Sequence, residues 1–294
     1  MVALIALIAT ATYALALAAL VGALRTACRE PEFGDSPLAR LTPTGSTQTN
    51  AASAISLART RLRQSMMIWG VSLLLHSIAL IAAISVADGF NVCLANALSA
   101  ALWLVGGLLW LSALRQPLAP LGLIILPLGA LGSLLLAFCD GRSAMVYAPD
   151  VAIHILFAAL GWAFLALATL QAAVVLMQHR ALHNHPPKPW LRLLPPLFTM
   201  EIWQFRTLLI GWLLLSASLV SGFIFLEDLF AQHLVHKTVL SIGAWALFGV
   251  VLIGRWRGGW RGQRVAVLIM AAFILLVLAY FGSKFVLELV LGRA

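Results

Sequence analysis

Charged residues make up only 10% of this 294-residue chain, and acids are the scarcer kind, 10 against 19 Lys and Arg. Soluble domains carry about 25% charged residues. A water-soluble enzyme of this length is therefore excluded, because the chain has too little polar side chain to cover its apolar surface. Cysteine is scarce as well. Cys28, Cys93 and Cys139 form no C-x-x-C and no C-x-x-C-H pattern, which argues against a zinc ribbon, a disulfide framework and covalent c-type haem attachment. A phosphate-cradling glycine loop, a nucleophile triad and paired carboxylates suited to acid–base work are also missing. The chain reads as a non-enzyme.

What is present is apolar: 62% of the residues. A bilayer core needs about 20 apolar residues per helix. Eight stretches meet that need: Val2–Leu24, Met66–Ala87, Val92–Leu114, Leu118–Cys139, Val151–Met177, Leu208–Leu226, Thr238–Ile253 and Val265–Leu291. The expected fold is all-α, a polytopic membrane helix bundle forming one transmembrane domain over 1–294. The first stretch lacks a basic segment ahead of it and a convincing cleavage site, so it reads as a retained helix. The odd-numbered loops hold fifteen of the nineteen basic residues. By the positive-inside rule those loops are cytoplasmic and both termini lie outside.

Residues 31–56 are rich in Pro, Ser, Thr and Ala without periodicity, so 25–65 is expected to be a mobile cytoplasmic loop. Its end, Ala58-Arg-Thr-Arg-Leu-Arg63, reads as an anchor on anionic headgroups. Residues 183–196, with five prolines, read as an irregular connection. Arg255-Trp-Arg-Gly-Gly-Trp-Arg-Gly-Gln-Arg264 alternates arginine with tryptophan and glycine between two spans. Such a place favours an interfacial belt against lipid over a nucleic-acid patch.

Ionisable groups inside spans are costly and are functional candidates by default. His76 lies ten residues into the second span, roughly 15 Å deep at 1.5 Å per residue. There it must be neutral, hydrogen-bonded to a neighbouring helix, or metal-bound. His154 lies just inside the fifth span and His236 at the mouth of the seventh. Those spans enter from the same face, and two neutral imidazoles are a suitable axial pair for haem iron. As isolated interfacial histidines they would need no ligand. Trp162, Phe164, Trp245 and Phe248 are placed either to flank a flat ligand or simply to pack. Lys284 and Glu288, at i and i+4, pair on one helix face or line a path. His179, His183 and His185 have metal-like spacing but lack a nearby carboxylate or cysteine, and read as a solvated loop end.

Three segments carry a family resemblance: Val235-His-Lys-Thr-Val-Leu-Ser-Ile-Gly-Ala-Trp245, Gly254-Arg-Trp-Arg-Gly-Gly-Trp-Arg-Gly262 and Tyr280-Phe-Gly-Ser-Lys-Phe-Val-Leu-Glu-Leu289. They resemble the YpjD group of inner-membrane proteins, within the cytochrome c assembly superfamily of CcsA, CcmC and HemX. The resemblance runs back through His154 to His76 and covers most of residues 66–290. It implies haem handling at a bacterial inner membrane, with non-covalent haem as cofactor. His76 falls where that family's first intramembrane histidine would be, and His154 where its outer histidine would be. Arg206-Thr-Leu-Leu-Ile-Gly is similar to the arginine-led opening of the sixth helix.

The chain also departs from the CcsA pattern. The segment between spans six and seven has no tryptophan. Ile253 and Gly254 stand where a second intramembrane histidine belongs, and none follows the last span. The expectation is therefore a haem chaperone or haem-supply factor, with His154 and His236 as iron ligands and His76 deeper. Its partners would be lipid, haem and other cytochrome c maturation proteins. The alternatives are a partner or regulatory subunit that keeps the scaffold without the site, and a small-solute transporter using Lys284, Glu288 and His76. No inverted repeat favours the transporter.

Overall fold

The computed structural model describes residues 1–28, 45–86, 89–91, 93–137, 144–145, 149–183, 194–225 and 235–282. Its helices are α1 (Val2–Cys28), α2 (Gly45–Ile84), α3 (Leu94–Ala113), α4 (Gly122–Ala137), α5 (Pro149–His183), α6 (Leu197–Phe225), α7 (Val235–Gly258) and α8 (Gln263–Val277). A 3-10 turn, Ala119–Leu121, leads into α4, and a π-helical stretch, Leu278–Gly282, extends α8. Among the described residues, eight helices are long and apolar enough to cross a membrane, as the polytopic bundle requires.

Helix ends differ from the apolar stretches in an instructive way. α2 starts at Gly45, inside the segment expected to be a loop, and α6 starts at Leu197, so Arg206 lies within that helix and not at its opening. Hydropathy marks what lipid must cover, whereas a helix continues wherever its backbone hydrogen bonds are satisfied, including outside the bilayer.

Neighbouring helices run antiparallel, and the contacts fix their register. Along α2 and α3, Trp110 Nε1 donates to the Met66 carbonyl at 2.8 Å and Trp103 Nε1 to the Leu73 carbonyl at 3.0 Å. Along α1 and α2, Arg61 Nη1 donates to Thr26 Oγ1 at 3.0 Å, while Tyr13 meets His76. The loops α2–α3 and α4–α5 meet at one end through three short antiparallel strands, β1 (Ser85–Val86), β2 (Gly89–Asn91) and β3 (Ala144–Met145). At the opposite, arginine-rich end, the Gly262 N–H, between α7 and α8, reaches Glu201 on α6. The molecule thus has a ribbon end and a basic end.

Two apolar cores share α5. Ala163, Leu167, Val174 and Val175 belong to the core of α1–α4, whereas Leu165, Ala168, Ala172 and Leu176 belong to the core of α6–α8. α1 buries Ala6, Ala9, Tyr13, Ala16, Leu20 and Ala23, alternately three and four residues apart, the seam of two-sided helix packing. Lipid tails are as apolar as leucine, so such helices associate by close contact of small residues. α4 supplies them. A Cβ added to Gly129 would stand 2.9 Å from the Tyr13 ring, and one added to Gly122 2.9 Å from Leu20 and Trp69.

Gly129→Ala should therefore lower stability by about 1–3 kcal/mol through overpacking. Gly107→Ala, where a Cβ would meet nothing within 4 Å, should be neutral or stabilising. Unfolding midpoints in mixed detergent compare the two directly.

Candidate functional site

The structure places His76 and His154 in different bundles. His76 is fully buried. Its Nδ1 lies 3.2 Å from the Tyr13 hydroxyl and its Nε2 2.8 Å from Ser99 Oγ, and the Tyr13 ring meets it edge-on at 5.8 Å. A neutral imidazole has one donor and one acceptor nitrogen, and hydroxyls serve either. Both nitrogens are thus engaged, linking α2 to α1 and α3. A Cβ added to Gly132 of α4 would come within 3.5 Å of the ring, so α4 closes the fourth side.

His154, half-buried near the ribbon end of α5, is held differently. Its Nδ1 lies 3.0 Å from the Ser218 carbonyl oxygen and 3.1 Å from Ser221 Oγ, both on α6. A carbonyl only accepts, so Nδ1 carries the proton and donates. In the neutral ring Nε2 is then the acceptor nitrogen, and the described residues offer it no hydrogen-bond partner. A metal-binding histidine is commonly oriented this way, by a hydrogen bond from its other nitrogen.

Below His154 the second bundle carries an aromatic cluster. Trp212 of α6 stacks on Trp245 of α7 at 5.5 Å and 14°, and donates its Nε1 to the Trp245 carbonyl. Trp245 Nε1 donates to Ser216 Oγ at 2.8 Å. Trp162 of α5 packs against Phe273 and Phe281 at 5.2 and 5.5 Å, and its buried Nε1 has no partner. Of the four aromatics singled out above, Trp162 and Trp245 join this cluster, Phe248 is wholly buried in the core, and Phe164 is half-buried on α5.

The remaining predicted residues divide cleanly. His236 stands in the first turn of α7, at the same end as His154, but its side chain lies outside the described residues, as do Lys284 and Glu288. Arg206 is exposed on α6, and His179 approaches Gly262 at the basic end. No group of three or more metal-ligating side chains occurs among the described residues.

The sequence pattern carried no signal for several polar partners. Tyr13, Ser99, Ser218 and Ser221 read as ordinary helix residues until folding sets them against the two histidines. Between α5 and α6, Gln171, Gln178, Glu201 and Gln204 are also buried. Gln171 Oε1, Gln178 Oε1 and Gln204 Nε2 have no hydrogen-bond partner there.

The His76 contacts can be weighed directly. Tyr13→Phe should cost about 0.5–1.5 kcal/mol, the range of interhelical hydrogen bonds in membranes, and Ser99→Ala a similar amount. Losses that simply add to less than ~0.3 kcal/mol, within the usual error of additivity, would show that His76 does not tie these helices together.

Comparison with known proteins gives these positions a family. The model of the Cytochrome C assembly protein family matches residues 60–291. Inner membrane protein YpjD of Escherichia coli K12 is 34% identical over 142 residues, which cover 48% of this chain and 54% of that protein. An uncharacterized 28.8 kDa protein of Azospirillum brasilense is also 34% identical over 142 residues, covering 48% and 52%. Cytochrome c biogenesis protein CcsA of Heterosigma akashiwo is 26% identical over 91 residues, covering 30% and 28%. The chain spans about half the length of the first two. No solved structure matches it. With most of its length matched by the family model, the chain belongs to the cytochrome c assembly family.

Proposed function

We propose that the protein is a haem-handling factor of the inner membrane, a binder and not a catalyst. Its site would lie at the ribbon end of the α5–α8 bundle. The observation that carries this reading is the pose of His154, whose Nδ1 is tied to the Ser218 carbonyl and Ser221 Oγ while Nε2 has no hydrogen-bond partner among the described residues. That is the geometry of an imidazole prepared to bind iron. The stacked Trp212 and Trp245 and the unpartnered Trp162 indole suit a flat, mostly apolar macrocycle with a polar edge. His236, at the start of α7, would hold the iron together with His154 in this reading. Haem, when bound, would supply an iron that imidazole nitrogens can hold. The protein's own part is to orient those imidazoles and to exclude water with its tryptophans. His76, with both nitrogens engaged, is assigned to holding α1, α2 and α3 together.

Purified in detergent and titrated with haem, the wild type should give a six-coordinate, low-spin spectrum. His154→Ala and His236→Ala should each remove it, and Ser221→Ala should weaken binding only slightly. His76→Gln should retain the spectrum. No low-spin species in the wild type would leave a scaffold subunit that assembles with other cytochrome c maturation proteins. Loss of the spectrum in a folded His76→Gln protein would move the site to the first bundle.

The same reading puts the basic end in the cytoplasm and both termini outside, since the odd loops hold the arginines. A cysteine placed at Trp256, which is 82% exposed, should then react with a membrane-impermeant reagent only in inverted vesicles. Labelling from the outside of intact cells would reverse the topology.

A further inference from the structure

The α7–α8 connection is built with more care than a connector needs, and haem binding at the ribbon end makes no use of it. Only Gly259–Gly262 separate the two helices. Gly259 and Gly262 have φ of 62° and 75°, left-handed values that favour glycine. Trp260 folds back onto α7 so closely that a Cβ on Gly254 would lie 2.4 Å from its ring, and one on Gly258 2.9 Å. The Trp260 N–H donates to the Gly254 carbonyl at 3.2 Å. The far side of the turn is held by the Gly262 N–H on Glu201 Oε1 at 3.1 Å.

This turn presents arginines whose guanidinium carbons lie over aromatic rings. Arg255 lies 4.8 Å from the Phe205 ring centroid, Arg261 5.1 Å from Phe198, and Arg257 5.9 Å from Trp256. Such a contact restrains a guanidinium while leaving in-plane N–H groups that match the oxygens of a phosphate in bidentate fashion. Arg255 keeps the rest of its donors after one, on Nη1, goes to the Trp260 carbonyl at 3.4 Å. Arg206 and Arg264 are exposed nearby in sequence to Phe205 and Gly262. Glu201 is the sole carboxylate among the described side chains, is buried, and is taken up by the Gly262 amide. Trp256 and Trp260, 82% and 44% exposed, stand at the end of the spans, where indoles sit at headgroup level.

We infer that this corner of α6, α7 and α8 is a binding site for the phosphate of an anionic phospholipid. Arg255, Arg257 and Arg261 supply the N–H donors, and Trp256 lies along the lipid. The turn's position at the membrane boundary selects lipid over other phosphates. A basic patch reading nucleic acid would need its tryptophans to face water, away from the bilayer.

The test uses the full-length protein in nanodiscs of mixed phosphatidylglycerol and phosphatidylcholine, transferred to mild detergent for native mass spectrometry. The wild type should retain phosphatidylglycerol in preference by about tenfold, and raised salt should reduce that preference. Arg255→Gln/Arg257→Gln/Arg261→Gln should abolish it. Arg257→Gln alone, which disturbs only the exposed Trp256 stack, should reduce it severalfold without changing helicity. Arg115→Gln, on the α3–α4 loop, should leave it intact. Equal retention of the two lipids by the wild type would overturn the site, as would an unchanged preference in the triple variant. So would displacement of lipid by an oligonucleotide at equal concentration. Haem binding at His154 is read separately, by absorbance, so either assignment can fail without the other.

Discussion

Inside a bilayer a hydrogen-bonding group has no water to turn to, and the rest of this structure follows from that constraint. Several hydroxyls within the spans fold back onto their own helix, while others, such as Ser133 on the Ala6 carbonyl, reach across. Thr10 bonds the Ala6 carbonyl, Ser72 that of Ile68, Ser77 that of Leu73 and Thr169 that of Leu165. Indoles reach across instead, Trp103, Trp110 and Trp212 each donating to a carbonyl of a neighbouring helix. Those cross-helix bonds set register where apolar contact alone, being non-directional, would leave helices free to slide. The close seats at Gly122 and Gly129 then fix how near the helices stand.

The two histidines show the same constraint answered in two ways. His76 is satisfied on both nitrogens by side chains from separate helices, which makes it a structural joint. His154 is satisfied on one, by a backbone carbonyl that holds its tautomer. The exceptions are then informative. Trp162 Nε1 sits unpartnered beside the aromatic cluster, and the Gln171, Gln178 and Gln204 amides are incompletely paired between α5 and α6. Buried polar atoms left open in this way are where a protein meets water or a ligand.

α5 is the organising element. One of its faces closes the core of α1–α4 and another the core of α6–α8. His154 and Trp162 belong to the second bundle through their contacts with α6 and α8. Two intramembrane histidines that look alike along the chain therefore end in different surroundings. At the basic end, Gly254 and Gly258 serve packing, since Trp260 occupies the space their side chains would take, while Gly259 and Gly262 supply the left-handed backbone of the turn.

The number of spans, the all-α architecture and the segregation of arginine into odd loops were legible in the sequence, because lipid acts on every residue of a span and leaves a signal some twenty residues long. His76 and His154 were legible as candidates because an ionisable group in an apolar run is costly wherever it sits. Their roles were not legible. Tyr13 lies 63 positions from His76 and Ser218 64 from His154, and nothing local marks a serine or tyrosine as the partner of a distant imidazole. Helix ends at Gly45 and Leu197 escaped too, since hydropathy falls where helix need not. Composition determined that this chain fills a membrane and how many times it crosses. Which polar groups meet inside was decided only when the helices packed, because a hydrogen bond depends on a few ångströms and an angle that no one-dimensional pattern records.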